Sequence, residues 1–175
     1  MRKYIYYLLI TNLLFGAHFN LELEETGSST LFIFSNTVSS LDEGDEFGLF
    51  DQTGIIDSDG TTGEILVGTG VWAEDQLNLT AIHAVDLSQF GGPILPGAVD
   101  GNEMILKIWD VSQNSELNAT YSIANGSGAF DGLFTAIEEI YLSSDDGGDD
   151  GGTISDGCDL PNNNFYLNGG DVLYN

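Results

Sequence analysis

Positive charge is almost missing from this chain. Arg2, Lys3 and Lys107 are the only Lys or Arg among 175 residues, against 28 Asp and Glu. A nucleic-acid binder displaces counterions from phosphates with several Lys or Arg side chains, and none can be mustered here. Anionic membrane surfaces are disfavoured for the same reason. Cys158 is the single cysteine, so no disulfide forms within these residues and a hydrophobic core must hold the fold. His18 and His83 are the only histidines, short of the three or four protein ligands usual for zinc. No G-x-S-x-G occurs, and no Gly-rich loop precedes a helical pattern, so neither a nucleophile elbow nor a nucleotide cradle is expected. Carboxylate pairs of the glycosidase kind are available in any number. The Arg, Lys and His that would hold a substrate beside them are not. The composition reads as non-catalytic.

The chain also lacks an apolar run long enough for a membrane span, which takes about 20 residues. Arg2 and Lys3 instead introduce the shorter run Tyr4 to Phe15, the pattern of a secretory signal peptide over residues 1–17. Cleavage after Gly16 or Ala17 would start the mature chain near His18; an uncleaved anchor or a buried first strand is the alternative. With the leader removed, 28 acids face Lys107 alone, a formal charge of −27. The expected location is extracellular or at the cell surface. Such a charge attracts divalent cations.

Hydrophobic residues make up 42% of the chain, so the acidity decorates a folded body. Apolar residues alternate with polar ones or cluster in short β-branched and aromatic runs. Strands are expected at Phe19–Glu24, Thr30–Ser35, Glu46–Phe50, Glu64–Trp72, Gln76–Ala84, Glu103–Trp109 and Ala119–Ile123. Phe134–Leu142 suits a strand or a short helix, and its setting favours the strand. Gln89 to Gly97 holds two of the three prolines and reads as a long loop. The expected fold is all-β: an antiparallel β-sandwich of about seven to nine strands, jelly-roll or immunoglobulin-like, over residues 18–142. Residues 143–157, with Asp145-Asp146-Gly147-Gly148-Asp149-Asp150, read as an acidic Gly/Asp linker. Residues 158–175 read as the start of a second, incomplete β domain.

Two groups of residues could bind something. Asp57-Ser58-Asp59-Gly60 places oxygen ligands at alternate positions before a glycine, as calcium loops begin, with Asp51 and Glu64 as nearby co-ligands. The EF-hand pattern then fails, because its fifth and twelfth positions hold Thr61 and Gly68. An Asx-rich hairpin turn is the alternative. Cofactor expectations are therefore none, or Ca2+ at this loop. Trp72 and Trp109 both end strands, where their rings, with Tyr121 and Tyr141, could stack on sugars; burial in the core or its rim is the alternative. His83, inside a strand, reads as structural.

From Phe19 onward the order of motifs runs Gly44-Asp45-Glu46-Phe47-Gly48-Leu49-Phe50, then Gly63 to Trp72 with its Val67-Gly68 pair. It closes with Gly101 to Asp110, ending Lys107-Ile108-Trp109-Asp110. This resembles a secreted β-sandwich module found in large extracellular proteins of marine bacteria and Bacteroidetes, over about Phe19 to Leu142. Members often carry a cysteine before the Val-Gly pair, where this chain has Leu66. The resemblance implies an accessory, non-catalytic module beside adhesion or sorting domains. The expected function is adhesion or contact with extracellular polysaccharide or cell-surface components. A calcium-stabilised spacer and an accessory domain of a secreted hydrolase are the alternatives.

Overall fold

Period-two burial sets the strands. The computed structural model describes residues 17–143, 166–168 and 171–173. In β1 (Ser29–Phe34), Thr30, Phe32 and Phe34 are buried while Leu31 and Ile33 face the other side. β2 (Glu46–Ile55), β3 (Thr62–Val71), β4 (Leu77–Ile82), β7 (Ile105–Asp110), β8 (Ser115–Asn125) and β9 (Phe134–Ser143) follow; β7 alternates as strictly as β1, whereas the β2–β3 and β8–β9 ladders shift register and alternate less regularly. Between β4 and β7 lies a two-residue ladder of β5 (Val85–Asp86) with β6 (Ile94–Leu95), bracketing a 3-10 turn at Ser88–Phe90. Among the described residues there is no α-helix. The segment 134–143 is a strand, as its setting suggested.

Seven strands form one sheet in the order β3-β2-β7-β8-β9-β1-β4. Every neighbouring pair is antiparallel except β1 and β9, which run parallel. The expectation of an all-β fold holds, but the sheet is mixed. β9 runs antiparallel to β8 and β1 antiparallel to β4, and where β9 and β1 meet they point the same way. A second correction concerns Phe19–Glu24, which is not a strand. Its alternation reflects a segment lying on a surface, not pairing in a ladder.

The sheet nearly closes on itself. Its edge strands β3 and β4 pack together without being ladder neighbours. Gly68 and Gly70 permit this approach. A Cβ at Gly68 would stand 2.8 Å from the backbone oxygen of Thr80, and one at Gly70 would collide with Leu79. Inside lie Phe32, Phe34, Phe47, Leu49, Val67, Trp72, Leu106, Ile108, Phe130 and Ile137, each almost wholly buried. Each large side chain of this kind contributes roughly 1.5–3 kcal/mol of burial.

The register puts the connections into two groups. At one end lie the β2–β3 turn, the excursion 83–104, the β8–β9 loop and the approach to β1. The shorter β3–β4 and β7–β8 turns, with the β1–β2 loop, lie at the other. Buried Asp45 and Asp110 pin that second end. Asp45 accepts from the N–H groups of Asp42 and Val111, and Asp110 from Gln113 N–H and the Ser112 hydroxyl. Later in the chain, β10 (Tyr166–Asn168) and β11 (Asp171–Leu173) form an antiparallel pair. Apart from Ala17 and Ser143, the expected leader and linker lie outside the described residues, as does most of the expected second domain, including Cys158.

Candidate functional site

The long loops at the first end build the candidate site. The excursion 83–104 returns to β2 through reciprocal bonds of Ile55 with Gly97 and to β4 through Ala98 N–H on the Ile82 carbonyl. Gly97 has φ +153, and a Cβ there would stand 2.5 Å from the His83 backbone, so only glycine allows this crossing. Between this excursion and the β2–β3 turn opens a cleft of about 430 Å³, lined in part by Gly60, His83, Asp86, Ile94 and Asp100. Asp86 and Asp100 are exposed at its rim. On the loops of this same end, Phe90 is 89% exposed and Leu133 is 88% exposed. Burying either against a partner would recover most of the transfer energy of a large apolar side chain.

His83 is at the back of the cleft and only 8% exposed. Its Nε2 is 2.9 Å from the Thr30 hydroxyl, and its ring meets Phe130 edge-on. Its backbone is tied as well: its N–H donates to the Ser28 carbonyl, and its carbonyl accepts from the Thr26 hydroxyl. Burial holds the imidazole below the usual histidine range, against the opposing charges of Asp100 and Asp51. His83 lies just past the end of β4, at an isolated bridge to Ala98, and not inside the strand as the sequence suggested.

The calcium candidates are dispersed. Asp51 is buried, its carboxylate accepting from the N–H groups of Thr53 and Val99 and from the Asn102 amide. It fastens the excursion to β2. Asp57 closes its own turn: its Oδ1 accepts from Asp59 N–H and Thr61 N–H, both at 3.0 Å. Hydrogen bonding from the Thr61 side chain, then from its backbone, holds that carboxyl below the usual range. Asp59 is exposed on the turn, and Glu64 is on β3, ion-paired with Lys107 at 2.9 Å. Among the described residues no three His, Cys, Asp or Glu side chains converge as metal ligands.

The two tryptophans part company. Trp72 is 1% exposed and packs near Phe47 in the core, so it has no face to offer a sugar. Trp109 lies half-buried on the outer face of β7, where His18 stacks on it with centroids 3.8 Å apart and planes 6° from parallel. One face of the expected stacking platform is thus taken by the chain itself. Tyr121 is largely buried, its hydroxyl on the Met104 carbonyl, and burial pushes its pKa up to about 12. Tyr141 is exposed. Around Trp109 the outer face also carries Lys107, which meets Glu64 and Glu116 and stands 4.4 Å over the Phe50 ring.

Phe90 and Leu133 were not singled out from the sequence. The available signal was an aromatic beside two glycines in a polar loop, Gln89-Phe90-Gly91-Gly92, where no periodic pattern demanded burial. No family model, curated protein or solved structure matches the chain.

Proposed function

We propose that the chain is a non-catalytic module of a secreted or cell-surface protein, whose loop end makes adhesive or polysaccharide contacts. The carrying observation is that the loops of this end form an open cleft with two rim carboxylates and, outside its lining, expose Phe90 and Leu133. An exposed aromatic ring packs on the C–H face of a pyranose, and carboxylates accept from its hydroxyls. Loops on a rigid β scaffold are where binding residues usually reside. The ionisable groups buried in the fold are used as pins for turns, which suits a scaffold better than a reaction centre. We take the nearly closed sheet as a sandwich of jelly-roll or immunoglobulin-like type, in keeping with the resemblance to secreted bacterial modules and with the expected export leader.

A polysaccharide array and sedimentation with insoluble glycans test this reading on three proteins: wild type, Phe90→Ala and Asp100→Asn. Retention of one glycan class, weakened at least about tenfold by Phe90→Ala at unchanged stability, is the expected result. Absence of any retained glycan or cell-surface fraction, or variants that bind like wild type, would reject it.

A further inference from the structure

We infer that the exported chain begins at His18, and that its new α-ammonium group is captured by the Glu46 carboxylate on the Trp109 face. The inference rests on the reading of residues 1–17 as a cleaved leader, and it selects one bond, Ala17–His18, from the two that the sequence left open.

Among the described residues, hydrogen bonds and ring contacts with the sheet begin at His18. Ala17 is exposed. The His18 N–H donates to Glu46 Oε2 at 2.7 Å, and the Phe19 N–H donates to the same oxygen at 3.2 Å. The His18 ring stacks on Trp109, while its Nε2 is 3.0 Å from Glu116 Oε2. Phe19 follows, 6% exposed, edge-on to Phe50 and lying over Gly48, where a Cβ would stand 3.0 Å from its ring. The backbone nitrogen, both neighbouring side chains and the receiving surface are therefore matched from the first residue onward.

The electrostatics of the face favour a cation at that nitrogen. Glu46 on β2, Glu64 on β3 and Glu116 on β8 share it with Lys107 on β7. Lys107 reaches Glu64 and Glu116, while Glu46 is met by the two N–H groups of the N-terminal segment. Hydrolysis of the Ala17–His18 bond adds one water. Ala17 leaves as a carboxylate with the leader, and the His18 nitrogen, taking up a proton, becomes an ammonium. A neutral N–H donor is replaced by a charged one at a separation already suited to a charge-assisted bond. The processed chain then holds its first residue more firmly than the precursor does. Cleavage after Gly16 would instead place the charge one residue away, on Ala17, and leave the His18 N–H a neutral donor to Glu46.

Two measurements test this separately. Intact-mass analysis of the product exported from the full precursor is expected to give a chain starting at His18; any other start overturns the assigned bond. Capture is judged on the chain 18–175 released from a fusion by a protease, with and without Nα-acetylation, in wild type and Glu46→Gln. Urea unfolding near pH 7 at low salt is expected to show acetylation raising the unfolding constant roughly two- to fivefold in wild type, with the effect lost in Glu46→Gln. A chain retaining Ala17 is expected to match the acetylated one. Equal effects of acetylation in both backgrounds, or none in either, overturn capture.

Discussion

Substituting Gly68 by alanine tests the account of how the sheet closes. The added methyl would meet the Thr80 backbone oxygen at 2.8 Å and a Leu49 side-chain carbon at 3.1 Å. The first cannot yield cheaply, because it belongs to the backbone of β4. Overpacking of this kind costs about 1–3 kcal/mol. Replacing a strand glycine with alanine recovers about 0.5–1 kcal/mol of backbone entropy and propensity. The net expectation is a loss of about 1–2 kcal/mol, or a fall in Tm of about 4–8 °C for a domain of this size. Urea unfolding followed by tryptophan fluorescence reads it as an earlier midpoint with an unchanged slope. Gly63→Ala on the same strand is the control, since a Cβ there meets only Ile56 at ordinary distance. Gly70→Ala should be milder, because the obstructing atoms are ends of the Leu79 and Leu77 side chains. If Gly68→Ala proves as stable as Gly63→Ala, β3 and β4 are not in close contact and the closed arrangement is wrong.

Other expectations follow from buried polar groups. Asp51→Ala leaves the N–H groups of Thr53 and Val99 without their acceptor and the Asn102 amide with the Thr53 hydroxyl, and should cost about 2–3 kcal/mol in thermal or urea unfolding. His83 titrates below its unfolded value, so the unfolded chain binds the extra proton first. Its contribution is present above about pH 6.5 and is lost as pH falls through the lower folded value. A stability–pH profile of His83→Gln should be flatter than wild type in that acid window, and parallel profiles would refute the assignment. Calcium at millimolar concentration should leave Tm within about 1 °C, since Asp57 Oδ1 is already engaged by two N–H donors. A larger rise, abolished by Asp59→Asn, would restore the metal reading of this turn.

Strand positions were legible because burial imposes period two on the residues that face the core. Phe47, Leu49 and Asp51 fall on one side of β2, and Leu106 and Ile108 with Asp110 on one side of β7. Lys107 points away from Leu106 and Ile108, toward the acidic surface, as its neighbours in sequence implied. Period two does not distinguish a strand from a segment lying on a sheet, and Phe19–Glu24 was misread for that reason. Nor does it encode which strands meet, so the parallel β1–β9 pair had no local signature. The fate of each candidate ligand was illegible for a related cause. Asp51 and Asp57 look alike in sequence, yet one fastens a distant loop through Val99 and the other closes its own turn. Trp72 follows β3 and Trp109 lies next to last in β7, and only strand order and the path of His18 decide that one is core and the other covered.

The pairing of β1 with β9 has a consequence for how the chain must acquire its shape. A strand near the start of the domain waits for one at its end, so the sheet cannot be completed while the chain emerges in sequence from its N-terminus. Until Phe134 to Ser143 arrive, one edge of β1 is unpaired and Phe32 and Phe34 lack the Ile137 side of their enclosure. A chain ending before β9 should therefore be soluble only with difficulty and should associate through that open edge. Completion of the seven-stranded sheet thus depends on β9.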